Sequence, residues 1–325
     1  MQPIVMVRFL VIFSVFLSAS CDVTETQNEL RIGTASLGGA YYPIGQGISS
    51  LVTQYAEGVS MVPVVTRGAI ANPRLLATHD IEMGLTNADL AYFAYQGMDP
   101  YSEPLNVVVA GVLHPSVLHL VALAESSIES FDQLRGKRVA LGPAGGPTVE
   151  FAQLLLQAYG MSISDIVPSF LSYTDSFSQL GDRNVDAAFA LSGYPAGAVL
   201  QTRATQRISF IEIHPEVLEE IIGANPYYYA VDIPEDTYGM QATMLAVNNV
   251  LIVRDDEPEE LVYRLVEAIY GNLSEFAQDI AIAKQIDISQ TSELQIPLHD
   301  GAARYFRQQL THQRLNFFLA RQGST

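Results

Sequence analysis

The sequence predicts an α/β protein with two lobes, and two observations support this fold class. Short apolar segments of strand type alternate with segments of helical apolar spacing through the first two thirds of the chain, which is typical of an open, mainly parallel sheet. A glycine-rich turn that follows a strand and opens a helix occurs in each half of the chain. A ligand held between two such turns would draw the lobes together, as in a hinged binding protein.

The first turn, residues 38–43, has the sequence Gly-Gly-Ala-Tyr-Tyr-Pro and follows a strand predicted at residues 30–34. Glycine lets the backbone approach a ligand closely, and Pro43 suits the first position of a helix that we predict to begin there. The bare N–H groups and the positive end of the helix dipole favour a carboxylate or a phosphate. One of the two tyrosines is expected in the core instead. The predicted ligand contacts are Gly39, Ala40, Tyr41 and Tyr42.

A third turn, residues 66–72, follows the strand predicted at residues 61–65. Arg67 is the strongest single candidate for a bidentate salt bridge to a carboxylate, although an arginine in a turn is more often solvated. Asn72 either contacts the ligand or caps the helix that runs through Pro73. The predicted contacts from this turn are Thr66, Arg67, Gly68 and Asn72.

A buried strand predicted at residues 81–85 leads to a polar segment that faces the same cleft. Its side chains of interest are Asn87 and Asp89. Asp89 either caps the helix that follows or receives an ammonium group of the ligand. Ligands of open α/β sheets lie beyond the carboxyl ends of the strands, and all these turns satisfy that rule.

The second half begins with strands predicted at residues 107–110 and 117–123, the latter crossing to the other lobe, and a short helix at residues 130–134. The second turn, residues 142–148, follows a strand at residues 137–141 and would oppose the first turn. Either turn could instead be an ordinary joint that needs glycine only for packing. A strand at residues 167–173 precedes a helix starting near Ser176, and a strand covers residues 185–191. The predicted contacts from this lobe are Gly145, Gly146, Thr148, Tyr173, Ser192, Gly193 and Tyr194.

The last third contains a strand at residues 208–213, an irregular extended segment at residues 227–231 and the longest strand pattern, residues 243–253, which would carry the chain back. Helices are predicted at residues 258–270, 274–283 and 302–320. These elements predict a first lobe made of residues 30–118 and 241–325, and a second lobe made of residues 119–240.

The N-terminus has the pattern of an export signal, residues 1–20, because an apolar run at residues 9–17 follows Arg8 and ends in small residues. Cys21, the only cysteine, would become the new N-terminus, and the site resembles a bacterial lipoprotein box in which Ser18 replaces the usual leucine. Lipidation of Cys21 would anchor the chain to a membrane, with residues 21–29 as a tether. The alternative is that the cysteine is incidental.

Composition excludes several functions. A formal net charge of −18 argues against nucleic acid as a partner, and the 49% apolar content excludes a disordered chain. A bound anion must therefore be held by local dipoles rather than by bulk charge. The sequence lacks a Gly-x-Ser-x-Gly motif, a His-Glu-x-x-His motif and a lysine after either glycine-rich turn, and its six histidines have no metal-ligand spacing. We therefore expect a binder rather than an enzyme, with no cofactor and no metal.

The order of these motifs resembles the solute-binding proteins of TRAP transporters, specifically the TAXI family, the TRAP-associated extracytoplasmic immunoreactive type. The resemblance covers residues 30–306 and includes Leu-Arg-Gly-Lys-Arg-Val at residues 134–139, Val-Asp-Ala-Ala-Phe at residues 185–189 and Leu-His-Asp-Gly-Ala-Ala-Arg-Tyr at residues 298–305, besides the turns described above. It implies a type II periplasmic-binding-protein-like fold, with two α/β lobes joined by two hinge strands and the ligand cleft between them.

The resemblance also implies a ligand class and partners. The ligand would be a small organic anion or amino acid such as glutamate or 2-oxoglutarate, and the partner a TRAP membrane permease that receives it from a monomeric, periplasmic receptor. Three departures from the family pattern fall in the ligand turns: Ala69 replaces a serine, Gly146-Pro147 replaces Ser-Gly, and Asn87 replaces a glutamine. Each lost buried hydrogen bond is worth about 0.5 to 1.5 kcal/mol, so the changes alter ligand choice.

Two rival functions remain open at this stage. A ligand-sensing module of the same fold would report to a membrane partner without transport, and a neighbouring gene for a multi-spanning permease would argue against it. A periplasmic enzyme on this scaffold would need a nucleophile and a base within hydrogen-bond reach.

Overall fold

The computed structural model describes residues 28–35 and 39–310 of the chain. The predicted export signal, Cys21, Gly38 and residues 311–320 of the last predicted helix lie outside the described residues. Within the described ranges, no helix combines the length and the apolar character that crossing a bilayer requires.

The N-terminal lobe is built from three parallel strands, each followed by a helix. Strand β1 (Asn28–Gly33) pairs with β2 (Val59–Val64) on one side and with β3 (Met83–Asn87) on the other. The helices are α1 (Tyr41–Tyr55), α2 (Ala71–Ala77) and α3 (Ala88–Gln96). Because the three strands are parallel, their carboxyl ends and the three helix N-termini lie at one edge of the sheet.

A single long strand, β4 (Val108–Leu123), leads into the second lobe. The strands that follow are β5 (Arg138–Ala140), β6 (Val167–Ser169), β7 (Ala187–Ser192), β8 (Ile208–Phe210) and β9 (Tyr228–Ile233). The helices of this lobe are α4 (Pro147–Ala158), α5 (Tyr173–Gly181), α6 (Gly197–Arg203), α7 (Pro215–Ala224) and α8 (Glu235–Tyr238).

The chain returns through β10 (Ala242–Val253) and ends on the first lobe. Helices α9 (Glu259–Tyr270) and α10 (Leu273–Asp279) precede two 3-10 helices, Ala281–Gln285 and Ile288–Glu293, and residues 300–310 are helical. The described strands form one mixed sheet in the order β2-β1-β3-β10-β4-β7-β5-β6, with β8 paired to β4 and β9 to β10.

The two long strands form the hinge, because both exchange partners halfway along. β10 pairs with β9 up to Val247 and with β3 from Asn249 onward, while β4 pairs with β7 from Val117 onward. A register shift between Asn248 and Val250 marks a bulge in β10 at the crossing. The exact lobe boundaries, 118/119 and 240/241, stay predictions. The fold class is confirmed: two α/β lobes are joined by two strands.

Several predicted boundaries were wrong. Helix α1 begins at Tyr41 rather than Pro43, and the proline sits in the first turn, where its missing N–H is not needed. Helix α5 begins at Tyr173 rather than near Ser176, because Ser172 caps it by accepting a hydrogen bond from the N–H of Asp175. β4 is one strand rather than two. β1 begins at Asn28, so the end of the proposed tether belongs to the sheet.

Other elements differ in type or extent. The segment predicted as irregular at residues 227–231 belongs to the regular strand β9, which pairs along β10. The short helix predicted at residues 130–134 is a 3-10 helix, Phe131–Leu134. The helix predicted at residues 274–283 is shorter and continues as a 3-10 helix.

Candidate functional site

A network of polar side chains, all buried except the half-buried Tyr41, occupies the hinge between the lobes. The Asn249 Oδ1 atom accepts hydrogen bonds from the Tyr41 hydroxyl at 2.8 Å, from Asn87 Nδ2 at 2.9 Å and from the Ser116 hydroxyl at 3.1 Å. The Asn249 Nδ2 atom donates to the backbone oxygen of His114 at 2.7 Å. We call Tyr41, Asn87, Ser116 and Asn249 the hinge network. It ties the first turn and the end of β3 to both crossing strands.

The first turn places the N-terminus of α1 directly above the hinge network. Ala40 is the N-cap, without a side-chain capping bond, and its carbonyl accepts from the N–H of Ile44 at 3.2 Å. The N–H groups of the first helical residues have no partner inside the helix, so they can bind an anion. Gly39, Ala40, Tyr41 and Tyr42 are all partly exposed here. The core position predicted for one of the two tyrosines is found in part at Tyr41, which is half-buried and packs against the hydrophobic core of the first lobe.

The second turn is closed by its own backbone. The N–H of Gly146 donates to the oxygen of Pro143 at 3.0 Å, so this predicted donor is used within the turn. Gly145 has a φ of 68°, which favours glycine, and is exposed. Helix α4 then begins at Pro147. This turn therefore presents fewer backbone donors than the sequence predicts.

Thr148 and Tyr173, both predicted ligand contacts, touch each other in the second lobe. The Thr148 hydroxyl lies 2.5 Å from the Tyr173 hydroxyl, and Tyr173 packs beside Gly142, where a Cβ would come within 2.8 Å of its ring. Burial raises the pKa of Tyr41, and the nearby Asp89 and Tyr173 raise this pKa further. The arrangement of the first and second turns on opposite sides of one cleft stays a prediction.

Asn72 stabilises the third turn through side-chain hydrogen bonds and does not cap the helix that follows it. The Asn72 Nδ2 atom donates to backbone oxygens of β1, β3 and Thr34, at 2.6 to 3.1 Å, and the Thr66 hydroxyl donates to Asn72 Oδ1 at 2.7 Å. Gly68, with a φ of 90°, donates its N–H to the Thr66 hydroxyl at 2.9 Å. The capping role predicted for Asn72 is wrong, because α2 begins at Ala71 and Ile70 is its N-cap. Thr66 and Asn72 are used inside the protein.

Arg67 is the most exposed residue of this turn. It is exposed, and among the described residues it forms no hydrogen bond or ion pair. Its fixed neighbours Thr66 and Gly68 hold its backbone at the carboxyl end of β2. A carboxylate that enters from solvent would therefore find an uncompensated guanidinium at the mouth of the site.

Asp89 is a buried carboxylate that joins the lobes. It is 3% exposed; its Oδ1 accepts from the N–H of Leu90 at 2.8 Å and its Oδ2 accepts from the Tyr228 hydroxyl of the other lobe at 2.9 Å. Burial raises the pKa of Asp89 to about 6, and Glu150 on α4 raises it further, against the hydrogen bonds that lower it. Asp89 is not the helix cap, because Asn87 holds that position.

The end of β7 packs against the first lobe. Gly193 is buried, and a Cβ there would overlap the side chain of Ile282 and come within 3.1 Å of the His114 ring. The backbone oxygen of Tyr194 accepts a hydrogen bond from Gln285 Nε2. Gly193 therefore serves a close approach between the lobes, whereas Ser192 and Tyr194 are partly exposed and stay predicted contacts.

A family model for the NMT1-like family matches residues 32–309 of this chain. The chain belongs to the NMT1-like family.

Solved structures with the same fold are similar to this NMT1-like protein at low sequence identity. An ancestral arginine-binding protein has a TM-score of 0.51 and 12% identity, over 81% of this chain and 100% of that chain. The binding protein component of an ABC phosphonate transporter from Pseudomonas aeruginosa has a TM-score of 0.51 and 10% identity, over 91% and 99%. The ligand binding component of an ABC-type import system from Staphylococcus aureus has a TM-score of 0.50 and 11% identity, over 85% and 84%. These likenesses show the fold of periplasmic binding proteins.

Sequence reasoning missed three groups at the site of this NMT1-like protein: Asn249, Ser116 and Tyr228. A signal for Asn249 exists, because the pair Asn248-Asn249 interrupts an otherwise apolar strand of twelve residues. Tyr228 was assigned to an irregular segment, and no local pattern shows that it reaches Asp89 of the other lobe. Within the described ranges, no three histidine, cysteine, aspartate or glutamate side chains come together as a metal site requires.

Proposed function

We propose that this NMT1-like protein is an extracytoplasmic solute receptor that binds a small carboxylate or amino acid, such as glutamate or 2-oxoglutarate, and delivers it to a TRAP membrane permease. One observation carries the proposal: side chains of the two lobes meet beside the hinge, where the Tyr228 hydroxyl of the second lobe donates to the Asp89 carboxylate of the first at 2.9 Å. A solute placed there contacts both lobes and the hinge at once. Its binding favours closure, and no bond is made or broken.

The chemistry of the walls suits a zwitterion or a dicarboxylate. The first-turn N–H groups of α1 and the free Arg67 guanidinium offer two places for carboxylate oxygens. Asn87 Oδ1 is buried and accepts no hydrogen bond from the described residues, so a ligand ammonium group would satisfy it. Asp89, two residues further on, has neutral donors as partners and supplies negative charge.

The TRAP assignment rests on the ordered motifs of the sequence. Two of the structural neighbours named above are components of ABC systems and share the fold, so the fold alone does not identify the type of transporter. Uptake in membrane vesicles tests the assignment. A TRAP receptor supports uptake that an ionophore abolishes and that continues without ATP, whereas uptake that stops on ATP depletion and resists the ionophore would refute the TRAP type.

The proposed location is the outer face of the cytoplasmic membrane, with a lipid on Cys21 as the anchor. The neighbours named above include binding components of import systems, which supports an extracytoplasmic site. Detergent phase partition of the protein made in its own cells tests the anchor. The wild-type chain should enter the detergent phase and Cys21→Ser should not; wild-type protein in the aqueous phase would refute lipidation.

Solute identity is tested by native mass spectrometry of protein purified from cells, followed by a thermal-shift panel of amino acids and dicarboxylates. A solute at a hundredfold over its Kd stabilises the folded state by about 2.7 kcal/mol. We expect an acidic metabolite or an amino acid to raise the melting temperature. A rise caused only by neutral sugars or by simple cations would contradict the proposal.

A further inference from the structure

A cavity of about 270 Å³ lies beside the hinge, next to the hydrogen bond between Tyr228 and Asp89 that joins the lobes. Its walls include Ala88, the three consecutive tyrosines Tyr227–Tyr229, Asn248 and Glu293. We call this cavity the tyrosine pocket. It is distinct from the three glycine-containing turns, none of whose residues line it.

Both lobes and the hinge contribute to the tyrosine pocket. Ala88 is the first residue of α3, and Glu293 ends the 3-10 helix that follows α10 in the first lobe. The tyrosines come from the start of β9 in the second lobe. Asn248 lies at the point where β10 changes partners. The cavity therefore exists because the two lobes adopt this relative position.

The tyrosine hydroxyl groups leave acceptors free for a ligand. Tyr228 donates to Asp89 at 2.9 Å, Tyr229 donates to Asn248 Oδ1 at 2.6 Å, and Tyr227 donates to Asn225 Oδ1 at 3.1 Å. Each hydroxyl has thereby used its single hydrogen, while its oxygen keeps lone pairs that can accept. The ligand best matched to such walls is a hydrogen-bond donor.

The charge of the walls has one sign. Glu293 is exposed and forms no ion pair with any described residue, and no lysine or arginine lines the cavity. The Asp89 carboxylate stands directly behind the Tyr228 hydroxyl. Burial raises the pKa of Tyr228, and the nearby Asp89 raises it further; burial likewise raises the pKa of Tyr229, with smaller contributions from Tyr194 and Asp287.

The aromatic rings are held in fixed positions by their neighbours. The Tyr227 ring meets the Phe93 ring edge-on, with centroids 5.5 Å apart, and meets the Tyr228 ring at 90° with centroids 4.7 Å apart. Such rings attract a cation through their negative faces, and they lose little entropy when one binds.

We propose that the tyrosine pocket is a second binding site, for a small organic cation that bears a primary ammonium group. The ammonium donates to tyrosine oxygens and pairs with Glu293, and its alkyl part lies against the rings and Leu294. This site adjoins the proposed solute cleft at the hydrogen bond between Tyr228 and Asp89, but none of the residues of the three turns lines it, and neither proposal requires the other.

Butylammonium and 1-butanol, which match in length and differ in charge, are the probes, with binding followed by NMR at pH 7. Butylammonium should bind at least tenfold more tightly than 1-butanol and should shift the signals of residues 226–229 and 290–295. Glu293→Gln should reduce the preference to less than threefold. The matched control Glu220→Gln changes an exposed, unpaired glutamate on α7 and should keep the tenfold preference.

Equal binding of the two probes would overturn the proposal, and so would an unchanged preference in Glu293→Gln. If butylammonium shifts only the NMR signals of residues 39–42 and 145–148, the proposed second site is also overturned, but the proposed solute cleft is not. If no dicarboxylate and no amino acid in the thermal-shift panel raises the melting temperature, while the butylammonium result is as expected, the proposed function alone is refuted.

Discussion

Several side chains at this site form hydrogen bonds with the backbone of the protein and are therefore not available to a ligand. Asn72 is the clearest example. It is fully buried, and its amide bonds to the ends of two strands and to the third turn. The sequence suggested a cap or a ligand contact because Asn precedes Pro73 in a polar turn. Local preference could not show that β1 and β3 would place three carbonyl oxygens around it.

Replacement of Asn72 by alanine should destabilise the fold strongly. Two or more buried carbonyl oxygens and the Thr66 hydroxyl would lose a partner, at about 1 to 3 kcal/mol for each unsatisfied group. We expect the free energy of unfolding in urea to fall by about 3 kcal/mol. Asn184→Ala, at an exposed position without a side-chain hydrogen bond, should change it by less than about 0.5 kcal/mol. Equal effects of the two substitutions would contradict the stabilising role of the Asn72 hydrogen bonds.

His114 should make the fold sensitive to acid. It is fully buried on β4, neither ring nitrogen has a hydrogen-bond partner among the described residues, and burial lowers its pKa to about 3. Below about pH 6.5, His114 is therefore protonated in the unfolded chain but stays neutral in the folded chain. The contribution of His114 to the free energy of unfolding falls as the pH falls. The loss is about 1.4 kcal/mol per pH unit.

Relative to the wild type, His114→Leu should gain about 1.4 kcal/mol of stability per unit as the pH falls from 6 to 4.5, because Asp89 and another buried histidine, His119, titrate in both proteins. The stability at pH 7 should be nearly unchanged, because no ring hydrogen bond is lost. His79→Asn is the control, since His79 is exposed with a φ of 59° that asparagine tolerates. The urea midpoint of each variant across this pH range is the measurement. If the stability of His114→Leu depends on pH in the same way as that of the wild type, the account is contradicted.

At the scale of elements, the sequence predicted the parts whose apolar pattern is long and regular. Strand β10 and helix α9 lie within one residue of the prediction. β4 was divided because Gly111 and Pro115 interrupt its pattern, yet Pro115 stands at the crossing, where the strands exchange partners. The contacts between β9 and α3 could not be predicted, because they join residues more than a hundred positions apart.

The contact between the end of β7 and the 3-10 helix Ala281–Gln285 gives an element-scale prediction. Gly193→Ala should destabilise the protein by about 1 to 3 kcal/mol, because its Cβ would overlap the Ile282 side chain. Gly197→Ala, where a Cβ would meet no atom within 4 Å, should be neutral or slightly stabilising. The melting temperatures of both variants test this prediction. An unchanged melting temperature in Gly193→Ala would contradict the close contact between the end of β7 and the 3-10 helix Ala281–Gln285.

In the whole molecule, the lobes are joined by a few contacts besides the hinge strands. Asp89 accepts the Tyr228 hydroxyl hydrogen, and Tyr92 and Phe93 of α3 pack on the Tyr227 ring with centroids 6.0 and 5.5 Å away. The sequence predicted two lobes and a cleft, but it did not predict which side chains cross between them. The free energy of these contacts is part of the balance that a solute must shift.

Asp89 should make that balance depend on pH. Its pKa is raised from 3.8 to about 6, so the folded state holds a proton that the unfolded state releases between about pH 4 and pH 6. Stability therefore falls as pH rises through this window, by about 3 kcal/mol in total at 1.4 kcal/mol per unit. Asp89→Asn lacks this titration.

Urea unfolding at pH 4 and pH 7 measures this effect. The stability of the wild type relative to Asp89→Asn should fall by about 3 kcal/mol between the two pH values. Asp279→Asn, at an exposed and unpaired position, should show a difference that is flat within a few tenths of a kcal/mol. A flat difference for Asp89→Asn would contradict the buried, charged link between the lobes.

The crystal structure of the protein with the solute that co-purifies from cells is the most direct test of the central claim. The account predicts one molecule whose carboxylate lies within hydrogen-bond distance of the N–H groups of residues 40–42, and which also contacts Thr148 or Tyr173 of the other lobe. A solute that contacts one lobe only, or that lies outside the space between the first and second turns, would contradict it.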